Sequence, residues 1–491
     1  MSDAAGHTEQ DAPATAVAAP DGTLLLHGRL HASVVALWTL QAFAPLAALW
    51  IASSAEQMVA FAGIAIALVS SWVRWTRFRW RVDADQLVIE RGLLQRTRRV
   101  IPLERIQAVQ TVRKIRHRVF GVVGLRIETV GGSETEGQLD ALKPVTALEV
   151  QRALLRETEI SAAPSADAAD AVLARCTPRM LFIAGLTGGR VGVAAAILAF
   201  AEQFAGQRLT NAIMSAPERY GVTVVVIIVV IGAMIAFVVS VIATAVAYWD
   251  FTVTRDGDLI RLHRGLLDER RDTVPLTRIQ ALSVEENVVR RMLGLAAVKM
   301  VVAGRAGEDE GITDTLLPIA SRDEAFALAR EVLGIAGVDN VVLQPMPVAA
   351  RARRLWRAAT VVTVITVAML VLVEWPLGLL GLLTAGVAVP SALAGYRALG
   401  WHRDSHVVIA RHGVLVRRTS VTPVYAPQSV RVSSSPFQRR RHLATLRLEI
   451  ARTRRASDPR LIDVDASEAA QLQIVLADTV AARLHEAPEA T

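Results

Sequence analysis

Cysteine is almost missing from this chain. Cys176 stands alone in 491 residues, which excludes an intramolecular disulfide framework and a cysteine-rich zinc site. Also absent are the short patterns that carry nucleotide or hydrolytic chemistry: a Gly-Lys-Ser/Thr phosphate loop, a Gly-x-Ser-x-Gly elbow and a His-Glu-x-x-His helix. Histidines are scattered. His402 and His406 share a strand face but sit about 13 Å apart, too far to chelate one ion, and His412 lies beyond them. No enzyme, cofactor or metal site is expected. The first 32 residues show no charged segment followed by an apolar one, so no cleavable signal peptide is expected, and they read as a disordered tail.

What the chain has in excess is apolar residues, 52% of the total, beside 20% charged ones, so the two must be segregated. Six apolar blocks fall at 33–51, 57–73, 180–201, 221–248, 358–373 and 377–396. About 20 such residues cross a bilayer as a helix, and Trp72, Trp356 and Trp375 extend the shorter blocks at the interface. The uncharged run 221–248 outlasts the core helices of soluble proteins. The blocks group into three hairpins, 33–73, 180–248 and 358–396, and predict a polytopic α-helical membrane protein with six spans. Orientation follows from arginine. The turns within the hairpins hold only Arg208 and Arg219, whereas Arg74, Arg77, Arg79, Arg351, Arg353, Arg354, Arg357 and Arg397 crowd the other ends of the spans. Short-loop positive charge marks the cytoplasmic face, so the termini and the domains between hairpins are placed inside the plasma membrane.

Self-comparison then reveals a threefold repeat. Gly92, Pro102 and Gln107 recur as Gly265, Pro275 and Gln280, and again as Gly413, Pro423 and Gln428, with unchanged spacing. Arg105 and Arg278 stand three residues after their prolines; Gly121 and Gly294 stand nineteen after, where the third copy has His442. Alternating apolar residues around these positions read as strands. The first glycine suits a hairpin that needs positive φ, and the proline a strand edge. Each copy closes with a helical stretch, near 144–157, 321–333 and 466–484. Thr146 with Glu149, and Ser321 with Glu324, read as capping boxes. The result is three small α+β domains at 75–160, 249–340 and 397–485, each an antiparallel sandwich or barrel with a C-terminal helix.

These residues resemble the bacterial pleckstrin-homology-like, membrane-flanked domain family of YdbS- and YdbT-type membrane proteins. Gly92 to Gln107 and Gly265 to Gln280 carry the likeness, with Gly121 and the Leu293–Leu295 stretch downstream. It covers nearly all of 30–485, and the three-copy layout is YdbT-like. The resemblance implies a seven-stranded PH-like sandwich closed by a helix, with no catalytic activity to carry over. Copy three departs from it: Ala426 and Pro427 replace Arg-Ile, and His442 replaces the glycine, so that copy is expected to have lost what those positions do.

Two sets of candidate site residues remain. Arg190 falls inside the third span, where an unpaired charge costs several kcal/mol, roughly 3 or more, and marks a functional hypothesis. Basic clusters at Arg96, Arg98 and Arg99, at Arg113, Lys114 and Arg116 with Arg118, and at Arg439, Arg440 and Arg441 are candidate contacts for anionic lipid. Net charge is +5 over 75–160, −4 over 249–340 and +6 over 397–491, so the outer copies suit lipid while the middle one suits its neighbours. The function expected is a non-enzymatic membrane scaffold, in envelope maintenance or stress resistance, that binds another membrane protein or itself and no nucleic acid. The alternative is a transporter or lipid-handling protein with a polar path near Arg190, with Gln41, Thr187 and Thr244 as weak companions.

Overall fold

Short strands of alternating burial make up most of what lies outside the apolar helices. The computed structural model describes residues 15–18, 24–41, 54–92, 96–129, 137–155, 171–188, 223, 227, 230–302, 314–335, 341–372, 377–450 and 459–486. Strands β1 (Thr15–Ala18) and β2 (Leu24–Gly28) come first. They lie within the stretch expected to be a disordered tail, of which residues 1–14 and 19–23 are outside the described residues. Residues Leu26–Gly28 pair β2 with β3, where Leu26 faces Val82 and is buried in the first core. Helix α1 (Ser54–Arg77) leads into β3 (Arg79–Val82), β4 (Gln86–Arg91) and β5 (Thr97–Pro102). A 3-10 turn, Leu103–Arg105, then starts a second meander of β6 (Ile106–Arg113), helix α2 (Ile115–Val119), β7 (Val123–Thr129) and β8 (Gly137–Leu142), closed by α3 (Pro144–Leu154).

The plan recurs twice. After β9 (Ala171–Arg175), α4 (Pro178–Thr187) and the α5 helix at Val230–Ala247 come β10 (Thr252–Asp256), β11 (Leu259–Arg264), β12 (Glu269–Pro275) and a 3-10 turn. Next are β13 (Ile279–Asn287), α6 (Val288–Met292), β14 (Leu295–Val302), β15 (Thr315–Ser321) and α7 (Arg322–Leu333). The third round runs through α8 (Val348–Leu372) and α9 (Ala385–Arg397) to β16 (Gly400–Arg403), β17 (Val407–His412) and β18 (Val416–Pro423). It ends with β19 (Pro427–Ser433), α10 (Pro436–Arg439), β20 (Leu443–Ile450), β21 (Arg460–Asp465) and α11 (Ala466–Glu486).

Each copy thus holds two three-stranded meanders, and a seventh strand arrives from before the hairpin. In copy one it is β2; in copy two the Cys176 N–H donates to Phe251 C=O at 2.9 Å; in copy three Gln344 bridges Trp401. The hairpin glycines take φ of 115°, 104° and 102°, as the spacing required. At Gly413 an added Cβ would lie 1.9 Å from the Val416 carbonyl oxygen. His442, expected to break the pattern, keeps it: its φ of 54° matches the 64° and 67° of Gly121 and Gly294. Ser321 and Glu324 form the expected capping box, but α3 starts at Pro144 after Lys143, so Thr146 is a helix-interior residue and not a cap.

The sheets do not follow the repeats. Among the described residues the second meander of one copy pairs with the first meander of the next, β6 with β12 and β13 with β18. Packing divides the chain into two units that split copy two between Arg278 and Ile279. One holds residues Met1–Val172, Thr254–Arg278 and Gly304–Glu308, with a core of Leu87, Ile101, Leu125, Leu139 and Val150. The other holds Leu173–Val253, Ile279–Ala303 and Asp309–Thr491, with Trp401, Val408, Leu446, Leu448 and Val464 at the centre of its third-copy core.

Three helical stretches among the described residues, where six were expected, are long and apolar enough to cross a membrane: Val230–Ala247, Val348–Leu372 and Leu379–Arg397. The fifth block begins ten residues earlier than expected because α8 carries Arg351, Arg353, Arg354 and Arg357 in its opening turns. Their aliphatic stems continue an apolar helix while the heads reach polar surroundings. The first block is helical over 33–41 and the third to Thr187. Arg190, and with it the proposed polar path, lies outside the described residues. Of its companions, Thr187 and Thr244 hydroxyls bond back to Ile183 and Ser240 carbonyls at 2.7 and 2.8 Å.

Candidate membrane-facing site

The strand that opens each second meander runs straight into a short helix, and the three helices are built alike. Asn287 and Ser435 cap α6 and α10 through their side chains, accepting from Arg290 N–H at 2.8 Å and Gln438 N–H at 3.3 Å. At α2 the Lys114 backbone N–H donates to His117 Nδ1 at 3.4 Å instead, with no side-chain cap from Lys114. The third residue of each helix is polar and turned inward: His117, Arg290 and Gln438. Each sits four residues before Gly121, Gly294 or His442, whose left-handed backbone ends the helix.

These inward side chains tie the domains to their surroundings. Arg290 donates from Nε to the Thr187 hydroxyl at 3.0 Å, and Asn287 donates to the Thr187 carbonyl, so α6 is fastened to the end of α4. Gln438 donates to Asp463 at 2.9 Å; Asp463 is 0% exposed and also takes Arg353 from the first turns of α8 at 2.5 Å. Burial, with Arg116 beside it, holds the His117 imidazole below the usual range. Burial likewise lowers the Arg290 guanidinium. The sequence reading missed this trio because the three residues share polarity and position but no chemistry.

The outward side is apolar. Val119 is 76% exposed, Met292 82% and Phe437 64%, with Ile115, Phe120, Val289 and Leu293 beside them. Around these tips lie Arg113, Lys114, Arg116 and Arg118, then Arg291, then Arg439, Arg440 and Arg441. The structure therefore gathers the second and third predicted clusters at equivalent tips and leaves Arg96, Arg98 and Arg99 on β5 or just before it. Burial, then Arg116, lowers the Lys114 amine. Of the other signature residues, Pro102, Pro275 and Pro423 end strands, and Gln107, Gln280 and Gln428 lie at the start of the next. Arg105 is exposed on its 3-10 turn, while Arg278 donates to Glu104 C=O at 3.0 Å. Among the described residues no group of three His, Cys, Asp or Glu could hold a metal ion.

The acidic middle copy meets its neighbours' arginines. Glu269 takes Arg118 at 3.8 Å, and Glu285 takes Arg418 at 2.9 Å.

Residues 34–158, 193–335 and 355–480 match the family described as Bacterial PH domain, one match per copy. The chain belongs to that family. It is also similar to the UPF0699 transmembrane protein YdbT of Bacillus subtilis (strain 168), 22% identical over 449 residues, covering 86% of this chain and 90% of that protein. No solved structure matches it. A membrane protein with three bacterial PH domains accounts for the repeat, the apolar helices and the YdbT-like layout together.

Proposed function

We propose that this chain is a non-enzymatic, multi-pass scaffold of the cell envelope that holds three PH-like domains against the cytoplasmic face of the plasma membrane. One observation carries the reading: the short helix that follows the opening strand of every second meander bears an exposed apolar residue with basic side chains around it, Val119, Met292 or Phe437. At α6 that tip is bonded to α4, the start of an apolar segment. Apolar residues would enter the headgroup region while each neighbouring Lys or Arg adds about 1 kcal/mol of attraction to anionic lipid. Envelope work by binding other membrane proteins follows from such a platform.

The test uses the full chain in vesicles, with an environment-sensitive fluorophore on Val119→Cys, Met292→Cys or Phe437→Cys. Burial pushes the Cys176 thiol up to about 12, so background labelling is slight. Blue-shifted emission quenched by brominated lipid is expected, stronger with anionic than zwitterionic lipid and weakened by replacing Arg439, Arg440 and Arg441 with Gln. Water-like emission at all three tips in both lipids would reject the reading.

A further inference from the structure

Both joints between repeats obey one register rule. Counting forward from the signature glutamine on the outgoing strand, and back from the signature proline on the incoming one, residues at equal steps face each other. Val109 faces Thr273 at step two, Gln110 faces Asp272 at step three, and Arg113 faces Glu269 at step six. Leu282 and Val421, Ser283 and Ser420, and Glu286 and Arg417 repeat those steps. Step six carries opposite charges in both joints, and the second joint adds Glu285 against Arg418 at step five. The closing helix reads step two. Seven residues into α3, Gln151 donates to the Thr273 hydroxyl at 2.7 Å; where the incoming residue is Val421, α7 has Ala329 at that place.

Strand β5 is built as an incoming strand but forms the edge of its sheet among the described residues. Val100, at its step two, is 45% exposed, whereas Thr273 and Val421 are 2% and 0% exposed. β19 is the matching outgoing edge, and it is guarded. Gln473, seven residues into α11, donates to the Val430 carbonyl at 3.1 Å. In the shared register Arg431 would also face Arg99, and like charges directly opposite disfavour pairing. A second copy of this chain therefore brings the wrong strand. β5 instead shares two positions with β18, Val at step two and arginine at step six; at step five it has Thr97 where β18 has Arg418, and Arg99 and Arg98 stand at steps three and four.

We propose that the outer edge of β5 docks the outgoing strand of a different PH-like chain, one with an apolar residue at step two, opposite Val100, and a carboxylate at step six, opposite Arg96. The proposal rests on the scaffold reading and gives it a partner class. Backbone hydrogen bonds supply the attachment, as in β-augmentation, and the arginines select the acidic strand. The chain's own β13 has the required features and is already engaged by β18.

That strand supplies the probe. The full chain with Val100→Cys, in lipid nanodiscs, is mixed with a peptide of residues 279–287 carrying Leu282→Cys, and mixed-disulfide formation is timed. Cys176 is buried and adds little background. The peptide should react about fivefold faster than its Glu286→Lys form, the scale of one reversed cross-strand charge pair. It should also outpace a peptide of residues 427–433 carrying Val430→Cys. Adding Arg96→Glu and Arg98→Glu to the chain should reverse the preference between acidic and basic peptides. A faster 427–433 peptide would overturn the proposal in favour of a second copy. Equal rates for all peptides would overturn it outright. The lipid probes report separately, so either failure leaves the scaffold reading to stand or fall on its own test.

Discussion

Arg264 and Asp272 offer a sharp test of how the first joint is held. They lie across the β11–β12 hairpin, 2% and 1% exposed, with a 3.0 Å bond from Nη2 to Oδ2. Asp272 faces Gln110 across the joint to β6. At an effective dielectric of 20 the pair attracts by about 5 kcal/mol, but removing two ions from water costs several kcal/mol each. The pair is therefore worth little against an apolar substitute, and much once half of it is gone. Arg264→Met leaves a buried carboxylate and should cost about 3–5 kcal/mol; Asp272→Leu leaves a buried guanidinium and should cost as much. The double variant should lose only about 1–2 kcal/mol. Limited proteolysis of the detergent-solubilised chain, in the regime where cleavage follows the open population, would read these differences. Each single variant should cut a few hundred to a few thousand times faster than wild type, and the double variant about five- to thirtyfold faster. Additive losses in the double variant would show that the ion pair is not what sets these costs.

Three further outcomes follow from the backbone and from one histidine. His442→Gly should stabilise by about 0.5–1 kcal/mol, since the left-handed cost of a side chain exceeds glycine's entropy; a thermal midpoint that does not rise contradicts this. Gly413→Ala should cost more than about 2 kcal/mol, because its Cβ meets the Val416 carbonyl, whereas Gly121→Ala has nothing within 4 Å and should cost about 1 kcal/mol. Paired denaturation curves of the two variants check the order. Burial, with Arg460, Arg418 and Arg354 nearby against Glu285, lowers His412 to about 4. The unfolded chain, near 6.5, then takes up the proton first. Stability from this site is full above 6.5 and is lost as pH falls towards 4. His412→Gln should flatten that part of the pH profile measured by thermal melts.

The parts of the fold legible in the sequence were those fixed by single residues. Gly92, Gly265 and Gly413 had to recur because their φ near 100° excludes side chains. Ser321 announced α7 because its cap needs Glu324 at one offset. The joints were invisible, since spacing within a copy says nothing about which copy supplies the neighbouring strand. β2 was hidden for a related reason: its partner β3 lies beyond the first apolar hairpin, and five residues in a Pro- and Asp-flanked stretch carry a weak local signal. Sequence overstated the break at His442, because histidine can occupy the left-handed region at a cost. Arg190 lies outside the described residues. The basic clusters were visible as charge, but their apolar companions Val119, Met292 and Phe437 gave no sign of being outside until the short helices turned them there.

The split of copy two between Arg278 and Ile279 puts inheritance and folding half a period out of phase. A fragment cut at the repeat boundaries, such as 249–340, would keep its sequence identity and lose both neighbours. Asp272, Thr273, Leu282, Val284 and Glu286, all buried in the joined sheets, would be bared beside two rows of unpaired backbone donors. A cut through the 3-10 turns instead leaves every sheet whole. Copies could be added or removed by exchange at the turns without designing a new interface.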